Sequence, residues 1–338
     1  MAKRISDQVV VITGASSGIG LACAKEFARR GASIVLAARN TRDLDRVTSE
    51  MRREGADAIA VPADVTQPEQ MEHLAQRAID EFGRIDTWIN NAGISVWGTF
   101  KQVPLEDVRK ILDTNFLGQV YGAKAALPHL ERTAGALICV GSALSDRGVP
   151  LQGAYCASKH ALKGWLDSLR VELKQEGSPV RVTLVKPSSM NTPLFKKSKT
   201  YMGVEPQPIP PVYDPELAVE AILHAAEGKS RDVYVGGASK FLSVAERVSP
   251  ILVDVHMTRN GASSQRTDWP KSSSASNNVD RALEDDGGIR GDFGPKSKHH
   301  SLYQTLAASV AFKSGLGLAA GLALWAATSG RRPSFKKS

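Results

Sequence analysis

The sequence predicts a doubly wound α/β domain, a parallel sheet with helices on both faces. Three observations carry this: seven short apolar runs between residue 8 and about residue 236, amphipathic stretches between them, and a glycine-rich turn after the first run. Near-continuous apolar strands alternating with helices mean a sheet buried on both sides. The right-handed crossover rule then winds the helices over both faces. No internal repeat interrupts the pattern.

The elements follow in order. "VVVIT" (9–13) comes directly after "MAKRISDQ" and is too short for the core of an export signal, so it reads as the first strand. "SIVLAA" (33–38), "AIAVPA" (58–63), "TWINNA" (87–92), "ALICVGS" (136–142), "RVTLVKP" (181–187) and "VYVGG" (233–237) supply the rest. Helical periodicity places amphipathic helices at 20–30, 41–54, 68–82, 104–130, 155–175 and 215–227.

With 42% hydrophobic and 23% charged residues, the chain is globular and long enough for one large core with length left over. Its formal charge of +8 suits an anionic partner, phosphate-bearing cofactors included. No interleaved aromatic and basic stretch supports nucleic-acid binding. Cys23, Cys139 and Cys156 have no CxxC spacing and sit among small or apolar residues, which predicts buried free thiols in a reducing compartment. The histidines show no ligand spacing, so no metal is expected.

Residues 1–256 therefore read as the catalytic domain. From 257 to 301 the chain is rich in Ser, Gly, Asn and charge, a composition that predicts a flexible polar linker. Residues 302–338 hold a second apolar block and a basic end. Leu306–Thr328 carries one charge, Lys313, near its start; as a helix of roughly 35 Å it could cross a bilayer core of about 30 Å. Gly317 and Gly321 form a GxxxG pair. The block is expected to span or enter a membrane below a cytoplasmic catalytic domain; an interfacial or oligomer-forming helix and a helix docked on the core are the alternatives.

"VVVITGASSGIG" places Gly14, Gly18 and Gly20 between a strand and a helix. There the backbone must turn tightly and approach a pyrophosphate, which the positive end of the helix stabilises. A purely structural turn is the bland reading; the flanking strand and helix favour the nucleotide. The second strand ends in "LAARN". Ala38 and Arg39 stand where a carboxylate would hold the ribose of NAD, and a guanidinium there pairs with a 2′-phosphate. The preference is for NADP(H), against the alternative of a solvated arginine.

"AYCASKHALK" (154–163) sets Tyr155 and Lys159 on one helical face. The ammonium is expected to favour the phenolate and draw the tyrosine pKa down from about 10. Ser142, thirteen residues upstream at a strand end, argues against a chance pair on a solvated helix.

Together these residues resemble the short-chain dehydrogenase/reductases, NADP(H) type, over roughly residues 6–240. "TGASSGIG" (13–20), "NNAG" (90–93), Asn115 in "TNFLG", Ser142 in "VGSAL" and "YCASK" (155–159) occur in that family's order and spacing. The resemblance implies a Rossmann fold, and a homodimer or homotetramer through the long helices beginning near 104 and 155. It implies that Gly14, Gly18 and Gly20 line the pyrophosphate, with Ile19 beside the nicotinamide end. Ser16, Ser17 and Arg39 would face the adenosine ribose and its 2′-phosphate. Asp64 and Val65 would hold the adenine, and Asn91, Ala92 and Gly93 would lie beside the cofactor. Ser142, Tyr155 and Lys159 match the catalytic triad, with Lys159 also on the nicotinamide ribose. Asn115 matches the member that holds a water in a proton relay; a bend in the helix is its bland reading. Pro187 and Thr192 are in register with the carboxamide-holding segment, where Ser188 replaces a glycine.

Val96, Trp97, Leu144, Val149, Leu151, Leu194 and Phe195 would wall the substrate pocket, which predicts a lipophilic ketone, aldehyde or secondary alcohol. Residues 195–211 would form a lid whose lysines meet an anionic group, or a plain solvated loop. Tyr155 would act as general acid, with Ser142 stabilising charge on the substrate oxygen. A catalytically silent NADP-binding sensor, or a membrane-tethered scaffold, is the competing function.

Overall fold

The computed structural model describes residues 3–228, 230–283, 285, 288–301 and 303–305. Seven strands form the central sheet: β1 (Val9–Thr13), β2 (Ser33–Ala38), β3 (Ala58–Pro62), β4 (Thr87–Asn90), β5 (Ala136–Val140), β6 (Arg181–Pro187) and β7 (Asp232–Val235). All pair in parallel, in the order β7-β6-β5-β4-β1-β2-β3. The winding direction reverses between β1 and β4. In open sheets of this kind a crevice opens at the carboxyl ends of the strands at that switch.

Strand alternation divides the core. Val10, Ile12, Ile34 and Leu36 pack against α1 (Gly18–Arg29), α2 (Thr41–Arg53) and α7 (Glu216–Glu227). Val11, Val35 and Trp88 point the other way, onto α3 (Pro68–Phe82), α5 (Gly118–Thr133) and α6 (Gly153–Gln175). Every residue of β1 is buried, which is why its sequence is apolar throughout rather than alternating. The fold class expected from the sequence is the one observed.

Two segments differ from expectation. The single helix expected over 104–130 is α4 (Leu105–Leu112), a π turn at Asp113–Leu117, and then α5. Apolar periodicity alone does not register one widened turn. Beyond β7, α8 (Gly237–Val248) and α9 (Pro250–His256) follow, two helices beyond the last amphipathic stretch expected from the sequence.

The polar tract also departs from a flexible linker. Its residues up to His300 belong to the same compact unit as the sheet. Short strands at Arg266–Pro270 and Ser297–Lys298 pair with Val204–Pro206 and Val212–Tyr213. The reason is specific, mostly long-range polar bonding that composition does not register. Gln265 is fully buried. Its Oε1 accepts from Trp97 Nε1 at 3.1 Å and Gln152 Nε2 at 2.6 Å, and its Nε2 donates to the Pro150 and Gly261 carbonyls at 2.9 and 2.7 Å. Phe293 adds an edge contact to Phe195, with centroids 5.7 Å apart.

The apolar block 306–328 lies outside the described residues. Among the described residues no helix is long and apolar enough to cross a membrane.

Gln265→Leu should strand the Trp97 and Gln152 donors in the core. An unfolding-free-energy loss of about 2–4 kcal/mol in urea is expected, at ~1–3 kcal/mol per unsatisfied buried group. A change within about 0.5 kcal/mol, as for an unattached surface residue, would show that the tract does not pack.

Candidate active site

The glycine turn is fixed by contact rather than by flexibility. Gly14 and Gly18 have φ of +67° and +57°, the left-handed region that glycine enters freely. A Cβ on Gly20 would stand 2.1 Å from the Gly14 carbonyl oxygen, so no side chain fits there. Asn91 locks the turn from the end of β4: its Nδ2 donates to the Thr13 and Gly14 carbonyls at 3.0 and 3.1 Å. The amino end of α1 therefore faces the crevice, where its dipole favours an anion.

At the adenosine end, Ala38 closes β2 and Arg39 stands exposed beside the crevice. The Arg39 guanidinium donates to the Asn278 carbonyl at 2.7 Å, and Asn40 Nδ2 donates to the Leu283 carbonyl at 2.5 Å. The Gly18 amide donates to the Gly288 carbonyl at 3.1 Å. The polar tract thus forms an outer wall of the crevice. Lys197 donates to Ser17 Oγ at 2.6 Å and also lines the groove. Of the lysines in the expected lid it is the one at the cleft, since Lys196 pairs with Asp292 and Lys199 with Asp107 and Asp280.

Ser142 ends the turn out of β5. Its Oγ accepts from the Leu144 amide at 3.1 Å while its own amide donates to Ser145 Oγ at 3.2 Å, a closed capping box. One lone pair of Oγ is thereby engaged by the turn. Tyr155 and Lys159, on α6, share that cleft, and Tyr155 is hydrogen-bonded to Ser142. Lys159 is buried, its Nζ 2.9 Å from the Val140 carbonyl and 5.5 Å from the centre of the Tyr155 ring.

The electrostatics differ from the sequence expectation. Burial pushes the Tyr155 hydroxyl up to about 12, opposed by the Ser142 hydrogen bond. Burial also pulls Lys159 down to about 8. The tyrosine is not drawn toward neutrality: the ammonium lies beside the ring and against a carbonyl, and desolvation outweighs the pairing. At neutral pH the site presents a protonated phenol above a cation.

Asn115 sits within the π turn and is fully buried. Its Oδ1 accepts from the Ile94 amide at 2.8 Å, and its Nδ2 donates to the Ile94 carbonyl at 2.9 Å and Ser158 Oγ at 3.2 Å. The side chain is a tie between elements, and it does not line the cleft. Gly20 likewise lies behind the lining.

The other expected cofactor positions, Ser16, Ile19, Asp64, Val65, Ala92, Gly93, Pro187 and Thr192, all border one cavity of about 990 Å³. Ser188 has no positive φ, so the serine meets no left-handed strain. Trp97, Leu144, Val149, Leu194 and Phe195 line the substrate end, whereas Val96 and Leu151 pack behind it. Sequence reasoning missed Ile209, Phe241, Leu242, Val248, Leu252 and Met257 as wall residues. The amphipathic stretch 237–257 carried a signal for the last five, once taken as helices over the cleft.

The close-approach glycines, an anion-favouring helix end, Arg39 and a cavity of about 990 Å³ fit a dinucleotide. No group of ionisable side chains suited to a metal ion occurs among the described residues. Cys23, Cys139 and Cys156 are free and buried, as expected.

A family model described as short chain dehydrogenase matches residues 8–202. The chain is similar, at 40% identity over 331 residues, to a Bacillus subtilis protein described as "Uncharacterized oxidoreductase YxnA", covering 96% of this chain and 91% of that one. It is 38% identical over 198 residues to 11-beta-hydroxysteroid dehydrogenase A of Arachis hypogaea, covering 58% and 56% of the two chains. Among solved structures, an alcohol dehydrogenase of the archaeon Thermococcus sibiricus, complexed with 5-hydroxy-NADP, superposes with a TM-score of 0.60. It has 25% identity and covers 67% of this chain and 95% of that one.

Proposed function

The chain belongs to the short chain dehydrogenase family, oxidoreductases of CH–OH and C=O groups that use a nicotinamide cofactor, and from that premise we propose that it reduces lipophilic ketones or aldehydes with NADPH. The observation that carries this reading is the meeting of Ser142, Tyr155 and Lys159 at one end of the cavity, with Arg39 at the other. The bound dinucleotide supplies the hydride.

The chain's own residues do the rest. Ser142 donates a hydrogen bond from its hydroxyl to the carbonyl oxygen, which steadies the negative charge that develops there. Tyr155 gives its proton to that oxygen. Its high pKa keeps the phenol protonated at neutral pH, the form that reduction requires. Lys159 holds a positive charge beneath the ring, and that charge eases the transient phenolate once the proton has left. The turn from Gly14 to Gly20 would carry the pyrophosphate, and Asp64 with Val65 would flank the adenine. Asn115 would support the site through Ser158, and the relay role belongs to the same proposal.

NADP(H) rather than NAD(H) is favoured because β2 ends in Ala38 and Arg39, with no carboxylate to oppose a 2′-phosphate. A lipophilic substrate is supported by the walls of the cavity, in which Trp97, Leu144, Phe195 and Phe241 outweigh fixed charge. The hydroxysteroid dehydrogenase relative points the same way.

Tyr155→Phe should lower NADPH-dependent carbonyl reduction about 10²–10⁴-fold and leave NADPH binding, followed by fluorescence, essentially unchanged. A rate near wild type would remove Tyr155 from the chemistry. Arg39→Ala should cut the preference for NADPH over NADH roughly 10–100-fold, the worth of a hydrogen bond to a charged group. An unaltered ratio of dissociation constants for NADPH and NADH would overturn the 2′-phosphate assignment. Lys159 is charged below its pKa of about 8 and neutral above it. The kcat/KM for reduction should therefore decline as pH rises through about 8, and a profile flat to pH 10 would show that this charge is dispensable.

A further inference from the structure

Two consecutive helices at the cleft turn apolar side chains outward. On α8, Phe241 is 75% and Val248 79% exposed, with Val244 between them; on α9, Ile251 is 73% and Leu252 69% exposed, followed by Val255. Residues 241, 244 and 248 recur at helical spacing on one face. Six large apolar side chains within fifteen residues are a patch, not scattered exposure. Phe241, Val248 and Leu252 also line the cavity. A side chain that is both exposed and lining stands at the rim, so the patch borders the mouth of the site.

Apart from the acids held in ion pairs, the charge around it is cationic. Both acids of α8 and α9, Glu246 and Asp254, are engaged by Arg147. The other ionic side chains of 237–261 are Lys240, Arg247 and Arg259, all cationic. An apolar face flanked by cations matches the boundary between acyl chains and anionic headgroups. A second copy meeting this face about a two-fold axis would bring the same cations against themselves.

We propose that the α8–α9 face docks on an anionic lipid bilayer, so that the cleft opens to the acyl layer and takes a carbonyl compound dissolved there. The choice of substrate source rests on the function proposed above; the docking does not. The three native cysteines are buried, so a Val248→Cys variant of the full chain takes an environment-sensitive fluorophore at that site alone. Adding vesicles of phosphatidylcholine and phosphatidylserine should shift its emission to the blue, and brominated acyl chains should quench it. The same label on Glu172→Cys, seventeen residues along α6 from Tyr155, should not respond. Arg247→Glu with Arg259→Glu should raise the lipid concentration for half-maximal response about tenfold or more, on the order of what two surface cations contribute. No response at Val248→Cys overturns the proposal. So does a blue shift without lipid, whether it follows protein concentration, as for a contact between copies, or does not, as for cover by another part of the chain. These readings need no turnover, so a failed substrate panel leaves them standing.

Discussion

The side-chain amide of Asn115 joins three elements that sequence keeps apart. It completes the backbone hydrogen bonding of Ile94, just beyond β4, and it holds Ser158, whose hydroxyl donates to the Tyr155 carbonyl at 2.7 Å. The π turn brings that amide into place, and a buried amide of this kind is costly unless each of its groups finds a partner. The strand end that floors the cleft, the helix carrying Tyr155 and Lys159, and the α4–α5 rod are therefore set against one another by one residue. Lys159 makes a second tie, from α6 to the carbonyl at the end of β5. Tyr155 and Lys159 are thus held by bonds behind them, while Ser142 is fixed by the turn that follows β5.

Burial and charge pull against each other at this site. The same removal from water that raises the Tyr155 pKa lowers that of Lys159, and both shifts penalise the charged form. The result is a proton held ready for transfer rather than one already lost. A phenol drawn to neutrality would suit abstraction of a proton; a protonated phenol beside a partly desolvated cation suits donation. The protonation states of this pair are thus set by the dielectric surroundings as much as by the identities of the two side chains.

What could be read from sequence was what repeats or what is locally forced. The seven strands announced themselves because a sheet covered on both faces needs unbroken apolar runs. Gly14, Gly18 and Gly20 announced themselves because no other residue meets their turn. Arg39, Ser142, Tyr155 and Lys159 all line the cavity. The widened turn at Asp113–Leu117 left no trace, since one extra residue in a helix hardly disturbs its apolar period. Gln265 was invisible for a different reason. Its composition class argues for solvent, and only bonds to three partners from distant segments, Trp97, Pro150 and Gln152, with the nearby Gly261, make it a core residue. The walls contributed by α8 and α9 were hidden by the same non-locality. Their apolar residues resemble ordinary helix faces until the fold sets them over the cleft.

The Gly288 carbonyl on the Gly18 amide changes the arithmetic of ligand capture. An amide that already has an acceptor gains, from an incoming anion, only the margin between the old bond and the new one. Arg39 is in the same position, with the Asn278 carbonyl as its standing acceptor. Loading such a groove is an exchange of partners, so affinity is set by how far a phosphate oxygen outcompetes a peptide oxygen. Selectivity follows from that contest, because a neutral group arriving at either donor would merely break even.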